Sequence, residues 1–231
     1  MTMDDFIGVL PEYLMGLVNT VWLTAAALLV GLLIAVPLAV LRVSSNPAVY
    51  GPVWAFTYFF RGTPLFVQLL LIYFGSGQFE VVRNSFAWPL LQEAWFCALL
   101  ACALNTGAYT TEILRGAIQA TPPGEIEAAK ACGMSPGLMM RRVILPGAFR
   151  RAIPAYGNEA VFMMHGTSVA SQVTLLDLTG VASVINSRFY TPYEAFGTAA
   201  LFYMALTFVI VLLINLAERR FHKHLKPRVA A

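Results

Sequence analysis

From Tyr13 to Leu41 the chain runs 29 residues without one charged side chain. A helix that crosses the hydrocarbon core of a bilayer needs about 20 mostly apolar residues. Inside lipid, backbone groups have no water to bond, so such a stretch must close its hydrogen bonds on itself, as a helix. This stretch is read as a membrane helix, and it sets the class of the chain. Composition agrees: of 231 residues, 58% are hydrophobic and only 12% are charged, against about 25% charged in soluble domains.

The same reading places four more spans. Arg42 ends the first, and Ser44-Ser45-Asn46-Pro47 is a turn. A second helix is expected roughly over Thr57 to Tyr73, with Thr63-Pro64 kinking it and Gly75 to Gln78 ending it. A third covers about Leu91 to Thr111. A fourth covers about Ala152 to Ser171 and carries Glu159. A fifth, Ala195 to Ala217, has 23 charge-free residues. No fixed-period repeat and no polar linker interrupts the series, so residues 1–231 read as one all-α membrane domain of five transmembrane helices. The start, with Asp4 and Asp5, is acidic and the first apolar stretch is long. A cleaved signal peptide has a basic start and a short apolar core, so the first helix is expected to stay.

Charge sets the orientation. Arg42, Arg61, Arg115, Lys130, Arg141, Arg142, Arg150, Arg151, Arg219, Arg220, Lys223, Lys226 and Arg228 fall on one side of a five-span layout; Arg83 and Arg188 fall on the other. Basic loops stay cytoplasmic. The N-terminus is therefore expected outside, and the C-terminus and central loop inside. Basic residues dispersed among spans make no soluble basic face, so nucleic acid is not an expected partner; the lipid membrane is. Cys97, Cys102 and Cys132 have no paired metal spacing and read as apolar fillers. On the outer side, Thr174 to Tyr193 repeats apolar residues at helical spacing behind Asp177, which can cap a short surface helix.

The central loop, about residues 121–146, has its own punctuation. Pro122-Pro123 and the acidic Glu125 and Glu127 suit a helix start, Lys130 its end, and Gly133 a left-handed C-cap. Ser135-Pro136 suits a second start, and Leu145-Pro146 is expected to end that second helix before the membrane. Ala128, Ala129 and Ala131 keep the first helix slim. A slim helix can enter a groove of a partner or pack on its own bundle; the residues leave both open.

The order of motifs resembles a known family. Glu127-Ala128-Ala129, then Gly133, then Val143 and Leu145-Pro146 resemble the EAA loop of bacterial ABC importer permeases, with Val where the pattern usually has Ile. Arg61-Gly-Thr-Pro-Leu-Phe-Val-Gln68 and Leu104-Asn-Thr-Gly-Ala-Tyr-Thr-Thr-Glu112 resemble further signatures of its polar amino acid branch. The likeness is greatest to M-type membrane subunits of histidine/lysine/arginine/ornithine uptake systems. It implies a permease subunit of the bacterial inner membrane, not catalytic itself. It implies that Glu125, Glu127, Ala128, Ala129, Gly133, Leu145 and Pro146 form a coupling site between helices 3 and 4, docked on a dimer of cytoplasmic ATPase subunits. The chain has no G-x-x-x-x-G-K-[ST] loop, so no cofactor is expected in it, and ATP and Mg would sit on the partner. A second homologous permease subunit would complete the pathway, and a periplasmic amino acid-binding protein would deliver the substrate. The alternative from another class is an ATP-independent channel or secondary carrier, which predicts inverted repeats and ion sites on broken helices.

Ionisable residues inside a membrane are functional candidates. Glu159, beside Asn158, has the sign to hold a cationic amino acid; the competing reading pairs it with Arg150, Arg151 or another subunit. Asn105, Tyr109 and Glu112 share one face of helix 3. Glu112 beside Arg115 reads as a structural ion pair. Arg61 and Gln68 share a face of helix 2; Arg61 reads as an interfacial cation and Gln68 as a pathway residue. Thr63, before Pro64, either exposes a carbonyl to substrate or only bends the helix. In the resembling branch, subunits that bind amino acid often carry Lys-Asp six and seven residues after the helix 4 Glu. This chain has His165-Gly166 there, so its substrate site is expected to be partial, with His165 either lining the pathway or bonded structurally.

Overall fold

The structure, a computed structural model, describes residues 3–221. Lys223, Lys226 and Arg228, counted above with the inner charges, lie outside the described residues. Every element among the described residues is a helix. The first, α1, spans Met3–Arg42. At 1.5 Å per residue its 40 residues are about 60 Å long, roughly twice the hydrocarbon core. It therefore tilts or projects from the membrane.

The second expected helix is two. Helix α2 covers Pro47–Gly62, capped by the Asn46 side chain, which accepts from Ala48 N–H. After Thr63 and Pro64, α3 covers Leu65–Leu70 and runs into a π turn, Leu71–Gly75. The axes differ by 104°, so Thr63-Pro64 is a break rather than a kink. Thr63 is extended, at φ −116° and ψ 145°, as a residue before proline prefers. Two short outer helices, α4 (Glu80–Arg83) and α5 (Trp88–Leu91), lead to α6, Ala94–Gln119. The expected third helix thus starts three residues late and runs eight residues further than its apolar part.

The central loop forms α7, Pro123–Ala131, and α8, Pro136–Met139. Leu145-Pro146 does not end the second helix. A π turn, Met140–Ile144, carries α8 directly into α9, Leu145–Gly166. Pro146 sits in the first turn of α9, where a missing N–H costs little. A 3-10 turn, Thr167–Val173, then α10 (Leu178–Phe189) and α11 (Pro192–Phe221) complete the chain. Asp177 caps α10 by accepting from Gly180 N–H at 2.9 Å.

By length and apolarity, two helices are fit to cross a membrane, Ile7–Arg42 and Pro192–Phe221, and up to four if each of two bent pairs is one span. Helix α6 is long enough but carries Asn105, Thr106, Thr110, Thr111 and Glu112. It affords them because α1, α2 and α9 enclose it. The core is built of small residues: Ala27, Ala35, Ala39, Ala98, Ala101 and Ala148 are fully buried. Large apolar side chains such as Trp22, Leu33, Leu201 and Phe208 point outward. Lipid is as apolar as leucine, so helices there gain by close approach rather than by hiding leucine. The α1–α6 crossing shows this. A Cβ on Gly31 would overlap the Thr106 methyl, and one on Gly107 would stand 3.4 Å from the Gly31 carbonyl.

Candidate functional site

Between α3, α6 and α9 lies a cavity of about 570 Å³. Its polar lining is Asn105 and Tyr109 from α6 and Asn158 and Glu159 from α9; Leu65, Phe162 and Met163 form apolar walls. Asn105 and Tyr109 are four apart and share a face, which is why α6 presents both. Glu159 is 7% exposed. No arginine or lysine among the described residues lies within salt-bridge distance of it. The arginines expected as competing partners are elsewhere. Arg151 donates from Nε to the Ala117 carbonyl at 3.1 Å and from its terminal nitrogen to Thr121 Oγ1 at 2.7 Å. There it serves the C-terminal end of α6, whose carbonyls favour a cation. Arg150 lines a separate apolar groove with Phe149 and Phe221.

Asn105 spends its donors away from the cavity. Its Nδ2 donates to the Phe60 carbonyl and to Gln68 Oε1, both at 3.1 Å. Oδ1 receives no hydrogen bond among the described residues. The cavity is thus rich in acceptors: one carboxylate and one free amide oxygen, beside Asn158 and the Tyr109 phenol. A buried carboxylate in a low-dielectric site strongly favours a positive partner.

Of the seven expected pathway residues, Glu159, Asn158, Asn105 and Tyr109 meet in this cavity. Gln68 is buried beside it, and its Nε2 donates to the Phe60 carbonyl (2.8 Å), the Thr63 carbonyl (3.0 Å) and Thr63 Oγ1 (2.8 Å). Gln68 and Thr63 belong to the break after α2, not to the cavity lining. His165 faces the other way. Six residues on from Glu159, it bonds Thr207 Oγ1 at 3.2 Å and meets the Tyr203 ring edge-on, against α11.

Below the cavity, Glu112 is the centre of a polar knot. It accepts from Arg42 Nε at 3.0 Å, Arg115 Nε at 2.6 Å and Thr57 Oγ1 at 3.2 Å. The pairing with Arg115 follows from i, i+3 spacing on a helix. Arg42 and Thr57 come from α1 and α2, and sequence spacing carries no sign of them. The cavity walls Leu65, Phe162 and Met163 were equally hidden; only Phe162 and Met163, three and four residues after Glu159, had a helical signal.

On α7, Ala129 turns into the bundle and is 4% exposed, while Glu125, Glu127, Ala128, Lys130 and Ala131 are exposed. The helix ends in a closed cap. Gly133 N–H donates to the Lys130 carbonyl at 2.9 Å and Met134 N–H to the Ala129 carbonyl at 3.1 Å. Gly133 sits at φ +72°, the left-handed conformation this cap requires. Leu145 and Pro146 begin α9, so the C-terminal part of the expected coupling site is the start of the helix that carries Glu159.

A helical membrane protein with an acceptor-lined cavity and an exposed, capped inter-span helix has the form of a permease. Comparison with known proteins makes it specific. Residues 17–231 match the family of binding-protein-dependent transport system inner membrane components. The nopaline transport system permease protein NocM of Agrobacterium fabrum is 44% identical, covering 95% of this chain and 91% of NocM. The histidine/lysine/arginine/ornithine transport system permease protein HisM of Escherichia coli K12 is 46% identical, covering 92% and 90%. A solved amino acid ABC transporter with histidines superposes with a TM-score of 0.84 at 34% identity, over 95% of this chain and 99% of that one. The MetNI methionine ABC transporter, at 18% identity and a TM-score of 0.79, shares the fold. The chain belongs to the binding-protein-dependent transport system inner membrane components. It is a permease subunit of an ABC importer and is not catalytic itself, which decides against the ATP-independent carrier.

Proposed function

We propose that this subunit moves cationic polar amino acids into the cytoplasm, with Glu159 holding their positive side chain. The observation that carries this reading is the buried Glu159 carboxylate, with no cation within salt-bridge distance among the described residues, in a cavity large enough for an amino acid. The cation binds where Glu159 and Asn105 Oδ1 offer acceptors, and Asn158 and Tyr109 orient the rest. The relatives named for histidine, lysine, arginine and ornithine, and the solved transporter with histidines, support the same class. With Gly166 where the resembling branch has an acid and His165 turned away, this chain offers little to grip an α-carboxylate. A second permease subunit supplies that part and closes the open side of the cavity.

In this reading the subunit spans the bacterial inner membrane five times, with its N-terminus outside and C-terminus inside. The two segments joined at Thr63-Pro64 act as one broken span. The exposed face of α7, with Glu125, Glu127 and Ala128, docks on a dimer of ATPase subunits that bind ATP and Mg, and a periplasmic binding protein loads the outer face. Gly133 fixes the angle at which α7 leaves α8, and the α8–α9 rod passes ATPase motion from Leu145-Pro146 to Glu159. The test is reconstitution of the chain with a second permease, ATPase and binding protein in proteoliposomes. ATP-dependent uptake of arginine, lysine or histidine is expected. Uptake that persists without ATP, or is confined to neutral amino acids, contradicts the proposal.

A further inference from the structure

Helix α2 stops for a chemical reason. In a continuous helix the Phe60 carbonyl would accept from the N–H of residue 64. Residue 64 is proline and has none. Thr63 is extended and swings the chain away by 104°, so the Arg61, Gly62 and Thr63 carbonyls also lose their helical partners. Four backbone acceptors are left open; where water is kept out an unmet one costs several kcal/mol, and Gly62, one of the four residues, is exposed.

Side chains meet the other three. Phe60 O accepts from Gln68 Nε2 at 2.8 Å and from Asn105 Nδ2 at 3.1 Å. Thr63 O accepts from Gln68 Nε2 at 3.0 Å. Arg61 O accepts from the Tyr109 hydroxyl at 3.4 Å. Gln68 Oε1 in turn accepts from Asn105 Nδ2 at 3.1 Å, which locks the two amides together. Gln68 belongs to α3, so it reaches back across the break to the helix it was cut from. Asn105 and Tyr109 belong to α6 and also line the Glu159 cavity. The same two side chains therefore face the cargo site and hold the end of α2.

We infer that Gln68 and Asn105 are positioning residues for transport: they replace the hydrogen bonds that Pro64 withholds and set the angle of the α2–α3 break against the cavity. Gln68 does not grip the cargo; both hydrogens of its amide are committed to the break. Asn105 links the two places, because cargo that draws its side chain inward loosens the lock on Phe60, and an intact lock holds Oδ1 available to cargo. This inference rests on the transport reading above.

The test uses the assembled transporter in proteoliposomes. Gln68→Leu keeps the bulk and removes the amide. The maximal uptake rate is expected to fall at least tenfold, while the half-saturating substrate concentration changes less than threefold. Gln68→Glu keeps the length of the side chain but replaces its donor with an acceptor, and it is expected to lose as much of the rate. A Gln68→Glu variant that transports at the full wild-type rate overturns the inference. So does a rise in the half-saturating concentration at full maximal rate, the mark of a direct cargo contact. A second readout needs no transport. Spin labels at Trp54→Cys and Leu71→Cys, in a Cys132→Ser chain, report the angle across the break. The wild type is expected to give one narrow distance and Gln68→Leu a broad one; an unchanged distribution overturns the inference. If Gln68→Leu does not assemble, Asn105→Ala carries the label test. A wild-type complex that carries no cationic amino acid sinks the transport reading and leaves the label result to judge the lock.

Discussion

Glu112 and Glu159 are both shielded carboxylates on enclosed helices, Glu112 partly buried and Glu159 7% exposed, and they have opposite fates. Glu112 is met by Arg42, Arg115 and Thr57, from three helices. Glu159 has no cation within salt-bridge distance among the described residues, Arg61 acting on it only from further off, and it opens onto a cavity of about 570 Å³. A shielded carboxylate held by two arginines and a hydroxyl is a rivet: it joins α1, α2 and α6, and where it borders a cleft with Arg42 and Arg61 its charge is already met. A buried carboxylate with no counter-ion is a vacancy for positive charge. The residue type is the same, and the partners decide the role.

If this contrast is right, the two glutamates should fail in different assays. The largest effect on stability belongs to Glu112→Ala. Removing the centre of the knot strands Arg42, while Arg115 keeps Gln119, and is expected to cost about 2 kcal/mol, read as a lower melting temperature of the purified complex. Replacing the whole knot, Arg42→Met, Glu112→Leu and Arg115→Met together, is expected to recover most of that loss, because the cost lies in the stranded charge. Gly133→Val comes next, at about 1–2 kcal/mol, for a side chain forced into the left-handed region, with weaker retention of the ATPase. Glu127→Lys is exposed and is expected to change stability by less than about 0.5 kcal/mol. It should still lower co-purification of the ATPase, because the sign of the docking face is reversed. Smallest of all, Glu159→Gln is expected to leave the melting temperature unchanged or raise it, since sites kept for function are often not optimal for stability.

Much of this was legible in the sequence. Charge-free length marked α1 and α11, and proline, acid and glycine punctuation marked α7 down to the left-handed Gly133. The i, i+4 spacing put Asn105 and Tyr109 on one face, and a lone acid in an apolar helix marked Glu159. What failed was local punctuation whose outcome depends on distant groups. Pro64 and Pro146 each lack an N–H. At Pro64 the extended Thr63, together with amides from α3 and α6, stabilises a full break. At Pro146 a π turn and the first-turn position absorb the same lesion, and the helix runs on. Their neighbours differ, Gly62-Thr63 before Pro64 and Val143-Ile144-Leu145 before Pro146, but the outcome rests on the distant groups. Partner choice was hidden for the same reason: Glu112 meets Arg42 across 70 positions, and His165 turns to Thr207 across 42.

The most direct measurement is the ratio of arginine to glutamine uptake by the reconstituted transporter, for the wild type and for Glu159→Gln. With Glu159 as the seat of the cationic side chain, the variant should assemble normally and the ratio should fall at least tenfold, about 1.4 kcal/mol of lost discrimination. A ratio equal to that of the wild type, in a complex that still couples ATP hydrolysis to uptake, would contradict the account.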